Sequence, residues 1–271
     1  LAGELLRADF EDDPAIDSLQ ERWAEEYGFP FEGGNVVGRL QDVRGKFDLN
    51  SLINTSGERQ PGPAAHFQRL VELVVAEDRD ISVDAESVVD SVVDWLDANT
   101  QPDGIGGAED GVYTSRTPPY RAGNFWFTTT SELLAVDNVT PELYSRLVPF
   151  LTALPPQSAP YGFNINTMLP PVLQTMDENL SAADASALLE VAPYETLEDF
   201  QEQSKNILPD DFWNPQGENR PQPPNLDVAT DWFALTVIVS VGSTRLTMYS
   251  LLERNAADGR AIARLRSFDT P

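Results

Sequence analysis

Apolar residues fall at two different spacings along this chain, and the change of period divides it. Phe67, Leu70, Val71, Val74 and Val75 recur at the three- and four-residue steps of a helix face, as do Val88, Val92, Trp95 and Leu96. Ser82 and Asp84 precede the second set as candidate caps. Thr140-Pro141-Glu142 reads as a cap, a first-turn proline and an acidic first turn, opening a helix that carries Tyr144, Leu147, Val148 and Leu151. Stretches 167–176 and 182–191 look like two more helices. Ser181 with Asp184, and Thr196 with Asp199, give capping signals. From Phe233 the period drops to two: Phe233, Leu235, Val237, Val239 and Val241, then Leu246, Met248, Ser250 and Leu252, then 262–268. Turns at Gly242-Ser243 and Asp258-Gly259 make this a three-stranded antiparallel meander.

The first sixty residues are mixed. Residues 1–10 read as the end of a helix, stopped at Glu11-Asp12-Asp13-Pro14. Residues 17–27 predict a short amphipathic helix or packed loop, and 35–42 and 46–50 predict strands around a turn at Arg44-Gly45. Residues 206–224 form a loop rich in Pro and Asn. A helical middle between β-type flanks is economically an inserted α-domain: 1–60 and 196–271 as two parts of an α+β domain, 61–195 as the insertion. The first segment alone has too little apolar material for a core of its own.

Charge sharpens that division. The chain has 271 residues, with 44 Asp and Glu against 18 Lys and Arg, a net charge of -26. Residues 62–195 hold twenty acids and five bases, while residues 226–271 hold five of each. Clustered cations are what nucleic acid and anionic membranes require, so neither is expected as a partner. There is no cysteine, which removes disulfides and thiol chemistry and agrees with an exported bacterial protein. No apolar run approaches the ~20 residues of a spanning helix. Leu1 in place of Met agrees with a trimmed chain. His66 is the sole histidine, which argues against zinc, and its place at a helix start predicts a surface or cap role.

Asp94 to Asp110 concentrates the candidate chemistry. Five of its seventeen residues are acidic and none is basic. Crowded carboxylates need a positive partner, and calcium takes six to eight oxygens from irregular loops. Asp97 and Asn99 alternate as calcium ligands do, and Glu109 and Asp110 return after a glycine-permitted reversal, although the spacing is not that of an EF-hand. The competing reading is a solvated acidic loop. A second alternative is an acid-base enzyme such as a glycoside hydrolase, with a pair drawn from Asp94, Asp97, Glu109 and Asp110 and a sugar platform of Trp95, Tyr113, Tyr120, Phe125 and Trp126. Asn164-Ile-Asn-Thr167 hints at a helix-hairpin-helix module, but it lacks glycines and a basic surround; Asn164 and Asn166 are better read as cap or loop-pinning residues.

Five stretches, in order, resemble the K-type minor pseudopilin family of the bacterial type II secretion system. They are Gly38 to Leu52; Asp94-Trp-Leu-Asp97 with Gly107-Ala-Glu-Asp110; Pro118-Pro-Tyr-Arg121 with Asn124 and Ser131-Glu-Leu133; Asn164-Ile-Asn-Thr167; and the terminal strands ending in Ser250-Leu-Leu-Glu-Arg254. The resemblance implies an α+β pseudopilin fold, a long N-terminal helix on an antiparallel sheet, with a large inserted α-helical domain. It implies structural calcium held by Asp97, Asn99, Glu109 and Asp110, with Thr100 and Gln101 offering carbonyls. Asn99 stands where the family is expected to have Asp; it keeps an oxygen but loses a charge, which would weaken the site or shift the weight to Asp103. It also implies a non-enzymatic role at the tip of the pseudopilus, where the protein would initiate and cap the fibre. The partners would be the I- and J-type minor pseudopilins, with the major pseudopilin as a further candidate. The expected location is the inner membrane of a Gram-negative cell, through an anchor that precedes Leu1, with this part in the periplasm.

Overall fold

The computed structural model describes residues 1–76, 82–156, 161–213 and 224–268. In chain order, helix α1 (Ala2–Asp12) leads through a turn of 3-10 helix to strands β1 (Glu26–Phe31), β2 (Gly34–Asp42) and the two-residue β3 (Phe47–Asp48). Helices α2 (Pro61–Ala76), α3 (Ala85–Leu96), α4 (Asp110–Tyr113) and α5 (Pro141–Leu147) follow. Then come β4 (Leu151–Thr152), β5 (Gly162–Asn164), α6 (Pro170–Gln174), α7 (Ala182–Glu190), α8 (Leu197–Ser204) and α9 (Asp210–Trp213). The chain closes with β6 (Asn225–Asp227), β7 (Trp232–Val241), β8 (Thr244–Arg254) and β9 (Ala261–Ser267).

The expected meander is β7-β8-β9, and it is part of a five-stranded antiparallel sheet ordered β1-β2-β7-β8-β9. β2 lies against β7 with Gly34 opposite Val241 and Asp42 opposite Phe233, so the first part of the chain completes a sheet begun at its end. β1 does not stand out in the sequence because Pro30 and Gly28 interrupt its aromatics. As an edge strand it tolerates a missing N–H. The predicted second strand, 46–50, reduces to Phe47–Asp48, which pairs in parallel with Leu151–Thr152 rather than with β2. α1 covers one face of the sheet, burying Leu6 against Trp23, Leu40, Phe233 and Leu252.

The described residues between Asp42 and Trp232 lie outside the five-stranded sheet, and the chain leaves and rejoins it at neighbouring positions. One large core fills that span, including Phe47, Phe67, Val92, Leu143, Phe163, Phe200 and Phe212. The helical body therefore also takes in α8, α9 and residues from 47 onward, beyond the 61–195 read from helical texture. α2 packs against α3, α5 and α6 at its centre. Of the candidate caps, Asp84 and not Ser82 caps α3, accepting from Ser87 N–H, and Thr140 accepts from Leu143, Ser181 from Asp184 and Thr196 from Asp199. The helix expected over 167–176 is only the single turn α6, because Pro170 and Pro171 admit a start but no earlier extension. Of the expected 206–224 loop, residues 214–223 lie outside the described residues.

His66 corrects its expectation. It is buried on α2, with Nδ1 3.4 Å from the Tyr161 hydroxyl, and burial lowers its pKa to about 4. A neutral imidazole packed on an aromatic ring is neither a cap nor a surface group.

Buried amides lock the body to the sheet. Asn164 Nδ2 donates to Asp17 O and to Asp42 Oδ2, both at 2.9 Å. Asn166 Nδ2 donates to Tyr194 O at 3.0 Å, and its Oδ1 accepts from Tyr194 N–H at 2.7 Å. Both asparagines pin loops and neither caps a helix, since α6 starts after Leu169.

Candidate metal centre in an acidic loop

α3 sets the acids of this region. Its apolar face enters the core, and Asp90 and Asp94, one turn apart, are buried with it. Asp97 ends the helix, and its N–H still reaches Val93 O at 2.9 Å. The loop then folds back over the helix, which requires close backbone approach. A Cβ on Gly104, whose φ is +60°, would lie 2.1 Å from Asp90 Oδ2, and one on Gly107 would lie 2.5 Å from Asp94 Oδ2.

The acids divide by their partners. Asp90 and Asp103 are held by Arg59, whose Nη1 lies 2.8 Å from Asp90 Oδ1 and 2.7 Å from Asp103 Oδ2. Asp110 Oδ1 accepts from Ala122 N–H at 3.1 Å, and Arg121 approaches its other oxygen at 3.6 Å. The absence of bases within 94–110 is thus partly made good by two arginines from outside it. Asp103, expected to take up weight from Asn99, is engaged by Arg59.

Asp94, Asp97 and Glu109 have no such counter-charge among the described residues. Asp94 Oδ1 accepts from Asp103 N–H at 2.8 Å, while its Oδ2 is buried and unbonded. Glu109 is buried with both carboxylate oxygens unbonded. Burial, then the charges of Asp94, Asp97 and Asp110, raise Glu109 to about 7. Burial raises Asp94 to about 6 against the opposing pull of the Asp103 and Ala108 amides. Asp97 is raised by burial as well. Orphaned buried carboxylate oxygens cost free energy unless a proton or a cation meets them.

Asp97 also shapes the turn. Its Oδ1 accepts from Asn99 N–H at 3.0 Å, its Oδ2 from Asn99 Nδ2 at 2.7 Å, and Asn99 Oδ1 accepts from Gln101 N–H at 2.8 Å. Thr100 and Gln101 are exposed. In the sequence Asp94 stands out as an acid-base candidate and within the family stretch, not as an expected calcium ligand, yet its Oδ2 is left buried without a partner while Asn99 is exposed. The signal available is its helical spacing, one turn before Asp97 on the buried face.

Among the described residues, three acids with ligand atoms within 4.8 Å of one another occur at Asp9, Asp17 and Glu21 and not in the acidic loop. Arg254 already supplies that cluster's positive charge through Asp9 and Asp17. In the acidic loop, the buried carboxylate oxygens without a partner are those of Glu109 and Asp94 Oδ2, and Asp97, whose oxygens accept from Asn99, is the third acid beside them; oxygen donors of this kind are the type a hard cation takes. Three of the five aromatics named for a platform pack on one another instead: Trp95 lies edge-on to Tyr113 at 5.3 Å, and Arg116 lies over Tyr113 and Tyr120.

The sequence profile of the family described as "Type II secretion system (T2SS), protein K" matches residues 45–156 and 163–206. The chain belongs to this family. The type II secretion system protein K of Aeromonas hydrophila is 32% identical over 267 residues, covering 94% of this chain and 77% of that protein. That of Pectobacterium carotovorum is 30% identical, covering 97% and 80%. A chain in the crystal structure of the GspK-GspI-GspJ complex from enterotoxigenic Escherichia coli superposes with a TM-score of 0.79 at 23% identity, covering 100% of this chain and 92% of that one. The α+β architecture of this chain, helix on antiparallel sheet with a helical body between β2 and β7, is therefore that of a K-type minor pseudopilin.

Proposed function

We propose that this protein is a non-enzymatic subunit at the tip of the type II secretion pseudopilus, assembling with I- and J-type minor pseudopilins to start and cap the fibre. The observation that carries this reading is the attachment of the body. A span of nearly two hundred residues rises between two adjacent strands, β2 and β7, of a small helix-and-sheet domain. A filament grows through head-to-tail contacts until one end is blocked, and a bulky body on a terminal subunit blocks it by volume. α1 offers the packing element, with Leu1 exposed and Leu5 partly so. The crystallised assembly of the Escherichia coli GspK with GspI and GspJ supports the same partners here.

Calcium is the cation this reading assigns to the acidic loop. It would lie with Asp94, Asp97 and Glu109, with Asp110 and the exposed backbone of 99–101 as further oxygen sources. Its chemistry there would be structural: a charge that lets buried carboxylates ionise. The membrane anchor and periplasmic placement belong to the same reading.

The test is co-elution of this chain with the soluble parts of the I- and J-type minor pseudopilins from the same genome, at concentrations of about 1 µM. A stable ternary peak is expected. Three separate peaks would count against the tip assignment.

A further inference from the structure

Gln41, Ala234, Leu251 and Leu265 are register partners across four strands, so they share one face of the sheet. α1 packs on the other face, against Leu40, Phe233 and Leu252. Opposite Gln41 and Ala234 the helical body presents Thr128, Thr129 and Thr130, then Val148 and Leu151. Between the two lies a cavity of about 180 Å³. Its walls are mainly apolar, with Thr128, Thr129 and Thr130 along one side.

Lys46 lines this cavity. Arg39 stands on the same sheet face, two residues before Gln41 and opposite Thr236, another lining residue. Among the described residues neither cation makes a hydrogen bond or an ion pair. Burial, and then the charge of Arg39, lowers the pKa of Lys46. Asp42 pulls the other way, but it is buried and its carboxylate is taken up by Arg44 N–H, Asn164 and Thr167.

We propose that this cavity is a docking site for an acidic side chain with apolar neighbours, presented on a peptide segment of a partner protein. The acid would meet Lys46 where water is partly excluded and the attraction is strong, with the exposed Arg39 adding its charge from the same sheet face. Val148, Leu151, Leu251 and Leu265 would take the flanking apolar groups, and the threonine hydroxyls would donate to the carboxylate. The cavity joins sheet and body, so an occupant would touch both. A polyphosphate or nucleic acid is disfavoured by the net charge of -26, against which two cations weigh little. The proposal is independent of the tip assignment: the site could fail with the ternary complex intact, and the reverse.

The test is a titration of the ¹⁵N-labelled chain with acetyl-Leu-Glu-Leu-amide and, separately, acetyl-Leu-Gln-Leu-amide, read by amide chemical shifts. Saturable shifts at Thr129, Tyr249 and Leu251 are expected with the Glu peptide, at least about tenfold weaker with the Gln peptide. Arg39→Ala, at an exposed position, should weaken binding of the Glu peptide, and Lys46→Met should abolish it while Lys46→Arg retains it. Equal affinity for both peptides would overturn the proposal, as would shifts mapping elsewhere or none at about 10 mM peptide.

Discussion

Arg254, at the end of β8, donates to the carboxylate of Asp17, 237 residues earlier in the chain. The same guanidinium reaches Asp9 on α1 at 3.1 Å and Thr230 O at 2.8 Å, and it lies over the rings of Phe233 and Phe10. One side chain thus ties α1, the segment after it and the last two long strands together. Asp17 is fully buried and Arg254 nearly so.

Replacing Arg254 by Ala should therefore be severe. It leaves Asp9 and Asp17 without their cation in a buried setting, a situation that typically costs about 3 to 5 kcal/mol. Urea unfolding at neutral pH would measure it. A loss under about 1 kcal/mol would mean that the two acids are already held neutral by protons, as their raised values of about 7 and 8 would allow.

Asn50 is the corresponding pin inside the body. Its Nδ2 donates to Phe127 O at 2.9 Å and Leu154 O at 2.7 Å, and its Oδ1 accepts from Phe127 N–H at 2.8 Å. Asn50→Ala strands three buried backbone groups, and the expected loss is about 2 to 4 kcal/mol. Asn50→Asp should be no better, because it keeps one acceptor but removes the donor. Equilibrium denaturation of both variants checks this.

The acidic loop predicts a specific response to calcium. Thermal unfolding with millimolar calcium should show a higher midpoint than with EGTA, with magnesium giving much less. A hundredfold excess over Kd corresponds to about 2.7 kcal/mol of stabilisation. Glu109→Gln and Asp94→Asn should each remove most of the rise. With both oxygens of Glu109 buried and unbonded, Glu109→Gln should also stabilise the chain in EGTA, which separates loss of the site from loss of the fold.

The pH dependence has a definite sign. Glu109 is raised from 4.5 to about 7 and Asp94 from 3.8 to about 6. An acid raised in the folded state keeps its proton where the unfolded chain has lost it, so folding takes up protons. Without calcium, this contribution is complete below about pH 4 and declines as pH rises through 6 and 7. Calcium requires the ionised forms, so the calcium-dependent rise in midpoint should be larger at pH 8 than at pH 5. Scans at the two pH values with and without calcium decide it; an equal rise at both would place the bound ion away from Asp94 and Glu109.

The local elements are legible in the order of residues. Periods of two and of three to four residues mark β7, β8, α2 and α3, because burial on one face forces those spacings. Thr140, Ser181 and Thr196 announce their helix starts because a cap acts within three residues. The concentration of acids from Asp94 to Asp110 is equally visible. Which of those acids are answered, and which are not, is settled only by the folded chain. Arg59 neutralises Asp90 and Asp103 from 31 and 44 residues away, which leaves Asp94, Asp97 and Glu109 without a counter-charge. Folding likewise settles that β1 and β2 complete the terminal meander, that His66 is buried, and that Asn164 and Asn166 bind loops together. Those outcomes depend on contacts between segments far apart in sequence, and the free energy of a buried polar group is set by the partner it meets rather than by its neighbours in the chain.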